Sequence, residues 1–206
     1  MLVLVRHGET AGNAAGQLLG RRESPLTAKG RSDAVALRAA LGPVSRLISS
    51  PLGRACDTAD ALRLDVPVEL DPRWIEVDYG ELEGHALDAV PAELWARWRA
   101  DLTFRPLGGE SLAEVAVRVR SACEELFARP GAGARGDADV VVVSHVSPIK
   151  AAVAWALGTG DEVVWRLYLA TASVTRIGWR NDGPVLIRYN ETIPATAGSR
   201  PGPRVS

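Results

Sequence analysis

"LVLVRHGETAGNAAG" (residues 2–16) opens the chain with four apolar residues that run straight into Arg6, His7, Gly8, Glu9 and Thr10. A short, continuous apolar run with β-branched members suits a strand covered on both faces. The way it ends is the chemically informative part: an arginine and a histidine surface together, and small residues follow. A second stretch repeats the design. "DVVVVSHVSPIKAAVAWAL" (139–157) is a β-branched run, then a histidine, then a helical pattern. "SRLISS" (45–50) reads as another buried strand, ending in Ser49-Ser50 and leading to Arg54.

Between these strands the pattern switches to helices. Thr27 is placed to cap a helix on which Ala34, Leu37 and Leu41 recur at helical spacing. "PLGRACDTADAL" predicts a helix with Pro51 in its first turn. "VPVEL" (66–70) is a third short strand, and residues 73–84 read as a structured loop. A helix is interrupted or begun at Pro91, and Ser111-x-x-Glu114 opens the clearest helix, 110–129, with a capping box. "PGAGARGDA" (130–138) is expected to be a mobile surface loop. Two late runs, "ASVTRIGW" and "VLIRYN", complete the strands.

Alternating strands and helices predict an α/β fold: three layers, α/β/α, with a mostly parallel central sheet flanked by helices. Residues 1–193 are expected to form a single domain and 194–206 a disordered tail. In such sheets ligands bind beyond the carboxyl ends of the strands.

Composition narrows the function classes. The 206 residues are 47% hydrophobic and 24% charged, with a net charge of −1, so no overall field draws the chain to nucleic acid or a membrane surface. The opening apolar run is too short for a signal peptide and no stretch reaches membrane-span length, so a soluble, cytoplasmic protein is expected. Cys56 and Cys123, far apart on helical segments, support neither a disulfide framework nor a zinc site and read as core or half-buried thiols.

If the strands are parallel neighbours, Arg6-His7, Ser49-Ser50 with Arg54, and Ser144-His145 converge at one edge of the sheet. Two arginines and two histidines crowded together repel one another unless an anion sits between them, and the planar fork of arginine suits phosphate. Gly8, Gly12 and Asn13 would let backbone and amide donors approach the same anion, with a helix N-terminus adding its dipole. Taken singly, each has a plain structural reading: a strand-end histidine is usually a satisfied structural residue, and a helix-start arginine is usually solvated. Their combination is a much rarer accident. His85 has no such setting and reads as structural.

These residues also carry a family resemblance. "LVRHGETAGN" resembles the signature of the histidine phosphatase superfamily, in its phosphoglycerate mutase-like branch. "SPLTAKG", "SSPLGRACDTA", "IEVDYGELEG", "GGES" and "VVSHVSPI" resemble further family segments, in family order, across residues 2 to about 190. The resemblance implies a phosphomonoesterase with a phosphohistidine intermediate. It implies His7 as the nucleophile and Arg6, Arg54 and His145 as phosphate ligands, assisted by Asn13 and by the Val146 backbone N–H. Glu76 is implied as the proton donor, preferred over Glu81 and Glu83 through motif alignment. Neither metal nor cofactor is expected, since the arginines supply the positive charge.

The partner is expected to be a small phosphorylated substrate, with no nucleic acid and no membrane; a homodimer stays open. Substrate identity is expected to lie in the loop after Leu18, with Leu19 and Gly20 as substrate-binding candidates, and in residues 84–110. There Trp95, Trp98, Phe104 and Arg105 could line a lid, although Trp95 and Trp98, three apart, fit core packing more simply. Valine after the second histidine departs from the common glycine. That "HVSPIK" form resembles α-ribazole phosphatase-like proteins and points toward α-ribazole 5′-phosphate, or toward broad specificity. Two alternatives remain: a phosphoglycerate mutase, disfavoured by the short segment between Glu76 and His145, and a non-catalytic phospho-ligand binding module.

Overall fold

The computed structural model describes residues 1–128, 137–180 and 183–193; the predicted tail and most of the predicted 130–138 loop lie outside them. Six strands form one mixed sheet: β1 (Leu2–Arg6), β2 (Val44–Ser49), β3 (Val68–Leu70), β4 (Asp139–Ser144), β5 (Ser173–Arg180) and β6 (Gly183–Thr192). Their spatial order is β3-β2-β4-β1-β5-β6. β1, β2, β3 and β4 pair in parallel, while β5 runs antiparallel to both β1 and β6. The sheet is thus mostly parallel, with one reversed strand.

The strands with continuous apolar runs are those buried on both faces. Leu2 and Leu4 of β1 and Val140 and Val142 of β4 face one core cluster, whereas Val3, Val5, Val141 and Val143 face the other. Strand side chains alternate between faces, so each run feeds two cores and no position can be polar without penalty. Among the described residues six α-helices accompany the sheet: α1 (Ala11–Ala14), α2 (Ala28–Leu37), α3 (Gly53–Ala61), α4 (Ala92–Ala100), α5 (Leu112–Ala128) and α6 (Val146–Leu157). The first core takes α5 through Val115, Val119, Cys123 and Leu126, and α6 through Ile149, Ala152 and Ala156. On the opposite face α2 contributes Leu37, α3 contributes Ala55 and Ala59, and Leu62 follows as its C-cap.

Local signals set several of these ends. Thr27 caps α2, its side chain accepting from the Gly30 N–H. Ser111 and Glu114 form the expected capping box, with the Glu114 N–H on Ser111 Oγ and the Ser111 N–H on Glu114 Oε2. Two expectations are corrected. Pro51 precedes the helix rather than entering it, because α3 begins at Gly53 with Leu52 as N-cap. Leu41 is buried but lies beyond α2, which tightens into a 3-10 turn over Arg38–Ala40 and stops before Pro43, whose ring disfavours helix in the residue before it. Cys56 is half-buried and Cys123 buried, both free. Among the described residues no helix is long and apolar enough to cross a membrane.

Candidate active site

Parallel pairing places Arg6 opposite Ser144 at the carboxyl ends of β1 and β4, so the next residues, His7 and His145, meet. The His7 N–H donates to the Ser144 carbonyl at 3.0 Å, and the Ser50 N–H donates to the Val143 carbonyl at 3.0 Å, which aligns the end of β2 beside them. The two imidazole centroids are 5.1 Å apart. Arg54, one residue into α3, extends its Nε to 3.3 Å from His7 Nε2 and equally 3.3 Å from His145 Nδ1. The convergence expected from the strand ends is therefore present.

The hydrogen bonds determine which nitrogen carries each proton. His7 Nδ1 lies 2.7 Å from the Gly8 carbonyl, which can only accept, so Nδ1 holds the proton and Nε2 keeps its lone pair. Arg54 Nε–H can only donate, so His145 Nδ1 is an acceptor and its Nε2–H donates to Ser50 Oγ at 2.7 Å. Burial pushes both imidazoles well below their ordinary 6.5. For His7 the charges of Arg6 and Arg54 add to the effect, and for His145 that of Arg54. Both rings are accordingly neutral near pH 7.

The cations are held by backbone carbonyls rather than carboxylates. Arg54, only 1% exposed, donates to the carbonyls of Arg22 at 2.9 Å and Gly20 at 2.5 Å. Gly20 supplies its carbonyl from a left-handed conformation, φ +51°, where a side chain would also strike Glu83. Arg6 donates Nη1 to the Leu169 carbonyl at 2.6 Å, and its Nε has no partner. Burying a guanidinium whose N–H groups meet carbonyls and no carboxylate is costly, so such groups mark a place where an anion is meant to bind.

Glu76 is 6% exposed and held against the start of α6. Its Oε1 accepts the N–H groups of Val77 at 2.9 Å and Ser147 at 3.1 Å, and its Oε2 accepts that of Val146 at 3.1 Å. The helix dipole expected to serve an anionic ligand thus serves Glu76, and the Val146 N–H expected to face phosphate is donated to that carboxylate. Oε1 is saturated, while Oε2 keeps one open lone pair.

His7, Arg6, Arg54 and Glu76 line one cavity of about 280 Å3, together with Asn13, Leu19, Gly20, Val146 and Lys150. Its wall carries three basic side chains, Arg6, Arg54 and Lys150, against a single carboxylate, and burial pushes the Lys150 ammonium below its ordinary pKa. Asn13 is oriented usefully: its Oδ1 accepts from the Thr10 N–H, so its amide N–H2 is the end left over. The expected backbone donors are not available. The Gly8 N–H goes to Thr58 Oγ1 and the Gly12 N–H to Ser24 Oγ. Gly8 is required instead by packing, since a Cβ there would lie 2.4 Å from the Gly30 carbonyl oxygen.

Other expectations sort clearly. His145 is fully buried behind Arg54 and does not line the cavity. Glu81 is exposed, and Glu83 binds the N–H groups of Arg21 and Tyr79; neither lines the cavity. His85 is exposed. Trp98 is buried and stacked on Trp95 at 5.7 Å, as core packing expects, yet both also line a second, adjoining cavity. Phe104 packs edge-on to Trp98, and Arg105 pairs with Glu114 at the surface. Sequence reasoning missed Ser50 as the His145 partner, although the polar pair ending a buried strand was its signal. It also missed Lys150, hidden inside a helical pattern.

A neutral imidazole nitrogen beside buried guanidiniums at the carboxyl ends of the parallel strands fits a phosphate-handling α/β protein. The family model described as "Histidine phosphatase superfamily (branch 1)" matches residues 2–192, and the chain belongs to that superfamily. It is 37% identical over 203 residues to the bifunctional protein Rv2228c of Mycobacterium tuberculosis, covering 93% of this chain but 54% of that one; the chain spans about half the length of such curated relatives. The mycobacterial glucosyl-3-phosphoglycerate phosphatase solved with VO3 superposes with a TM-score of 0.81 at 33% identity, over 93% of this chain and 98% of that one. The α-ribazole phosphatase of Shigella flexneri superposes with a TM-score of 0.78 at 25% identity, over 92% and 96%.

Proposed function

We propose that this protein hydrolyses the phosphomonoester of a small metabolite through a phosphohistidine on His7. The observation that carries this reading is the His7 Nε2 lone pair, set beside buried guanidiniums whose hydrogen bonds go to carbonyls and imidazole nitrogens, in a cavity with a single carboxylate. Arg6 and Arg54 bind and neutralise the equatorial phosphoryl oxygens, and the Asn13 amide donates to one of them. His7 Nε2 then attacks phosphorus, and the bond from phosphorus to the ester oxygen breaks with its electron pair on that oxygen. Glu76 delivers a proton to it from Oε2, the oxygen with an open lone pair, and the alcohol departs. Water next attacks the phosphohistidine and gives a proton back to Glu76 Oε2. The P–N bond breaks, and phosphate leaves with His7 neutral again. His145 joins the phosphate shell only if a bound dianion draws a second proton onto its Nδ1.

No metal is needed in this scheme, because fixed cations supply the charge. Among relatives in motif form, the α-ribazole phosphatases favour α-ribazole 5′-phosphate as the metabolite, with broad specificity as the alternative.

The test is hydrolysis of p-nitrophenyl phosphate with rapid quenching into alkali, in which phosphohistidine survives. Labelled protein that loses both label and activity in His7→Ala, with a rate indifferent to EDTA, is the expected result. Formation of 2-phosphoglycerate from 3-phosphoglycerate with 2,3-bisphosphoglycerate would make it a mutase instead. Vanadate binding without turnover would make it a phospho-ligand binding module.

A further inference from the structure

A second cavity, of about 150 Å3, adjoins the His7 cavity. Leu18, Tyr79, Leu87, Val146 and Lys150 line both, so the two spaces adjoin across these side chains. Its walls include Trp95, Trp98, Val164 and Trp165. Trp95 and Trp98 stack at 18°, and Trp165 stands edge-on to both with centroids 6.3 Å away. Tyr79 meets Trp98 edge-on at 5.4 Å. Rings locked against one another cannot collapse into the space they surround, so the room is preformed. An apolar cavity of this size holds a benzene molecule and gives water too few partners to be filled well.

The charges at its edge select the occupant. Lys150 stands at the joint of the two cavities with no ion pair or hydrogen bond among the described residues, which excludes a cationic occupant despite the aromatic walls. Asp161, the acidic residue in the wall, is paired with Arg120. A polyhydroxylated sugar or a glycerate would set more hydroxyls against ring faces than the few polar atoms of the wall residues, the Trp98 and Trp165 Nε1–H groups, Asp161 and Ser147, can pair.

We propose that this tryptophan-walled cavity is the leaving-group subsite, and that the substrate is a phosphomonoester whose alcohol carries an uncharged apolar ring of about benzene size. Lys150 lies over the joint between phosphate and ring. The proposal rests on the phosphatase reading for its chemistry but not for its binding, and the two are tested apart.

Binding is read first, by tryptophan fluorescence on the full chain, with phosphonates that cannot be hydrolysed. Benzyl-, 2-phenylethyl- and 3-phenylpropylphosphonate are compared with methylphosphonate, which fills the phosphate site alone. The best of the three is expected to bind at least tenfold more tightly than methylphosphonate. A116L, which adds volume to the cavity wall, should remove that advantage; if it does not fold, the wild-type comparison decides alone. Equal affinities overturn the subsite, and so does an advantage that A116L leaves intact. Hydrolysis of benzyl phosphate and glycerol 3-phosphate, both esters of primary alcohols, is read second. At least tenfold higher kcat/KM for the benzyl ester is expected. Equal turnover of both overturns the subsite and leaves the phosphatase standing, whereas ring-dependent binding without turnover overturns the phosphatase and leaves the subsite standing.

Discussion

His7 and His145 each stand one residue beyond a registered pair, Arg6 opposite Ser144, on adjacent parallel strands, and their ring centroids are 5.1 Å apart. Parallel pairing is what makes the two residues neighbours, and the two buried faces of β1 and β4 hold the register. A slip of one residue would turn Leu2, Leu4, Val140 and Val142 to the wrong core. Arg54 reads the result by sharing one N–H between both rings. Four consequences can be measured.

Glu76→Gln is expected to slow esters of poor leaving groups more than p-nitrophenyl phosphate, because the nitrophenolate leaves without a proton. The amide also presents a donor to one of the N–H groups that the carboxylate now accepts, costing about 1–3 kcal/mol of stability. Steady-state rates on both ester types and a urea titration separate the two effects. An equal loss on both esters would remove Glu76 from the proton-donor role.

Ser50→Ala strips His145 Nε2–H of its acceptor in a fully buried setting. The unpaired donor should cost about 1–3 kcal/mol. With Nδ1 still accepting from Arg54 Nε–H and Nε2–H left unpaired, His145 is seated less firmly against Arg54, so the pH profile of kcat should shift along with the rate. A lower Tm with an unchanged pH profile would reduce Ser50 to a structural role.

Both histidines have folded-state proton affinities well below the ordinary value of 6.5, chiefly through burial. As pH falls below 6.5 the unfolded chain takes up protons that the folded chain refuses, so the stability present above that value is progressively lost. Each of the two should remove about 0.7 kcal/mol per pH unit at 6.5, rising toward about 1.4 kcal/mol per unit a full unit or more below it. Urea midpoints at pH 7, 6 and 5.5 check this, and a flat profile would mean that the rings are not held neutral.

Gly30→Ala sets two effects against each other. Alanine within α2 gains about 1 kcal/mol of helix propensity, but its Cβ would lie 2.1 Å from the Glu9 carbonyl oxygen. Forcing backbone apart in packed structure costs about 1–3 kcal/mol, so a net loss of Tm is expected. The displaced Gly8–Thr10 segment should lower activity with it. A stabilised, fully active variant would show that this contact gives way freely.

Much of the architecture was legible because it is written locally. Apolar runs twice the width of an ordinary alternating strand face announce β1 and β4, and capping residues announce α2 and α5. Pro51 misled because a proline is equally compatible with the residue before a helix and with its first turn, and only the packing of Leu52 decides between them. Lys150 went unread because a lysine in a helical pattern is ordinarily a solvated charge; nothing local says that the helix is buried nearly all round.

The site divides in the same way. Residue order alone sets two histidines and two arginines at the ends of buried strands or the starts of the helices after them, since unpaired polar groups cannot lie within a sheet covered on both faces. Only the tertiary structure decided where each donor points. It gave the Val146 N–H to Glu76 and the Gly8 N–H to Thr58, the tautomer of His145 to Ser50, and the space beside the phosphate cavity to two tryptophans of α4 and a third, Trp165, from a distant segment. Hydrogen bonds and cavities depend on atoms far apart in the chain meeting within a few tenths of an ångström, and that distance is a property of packing, not of residue order.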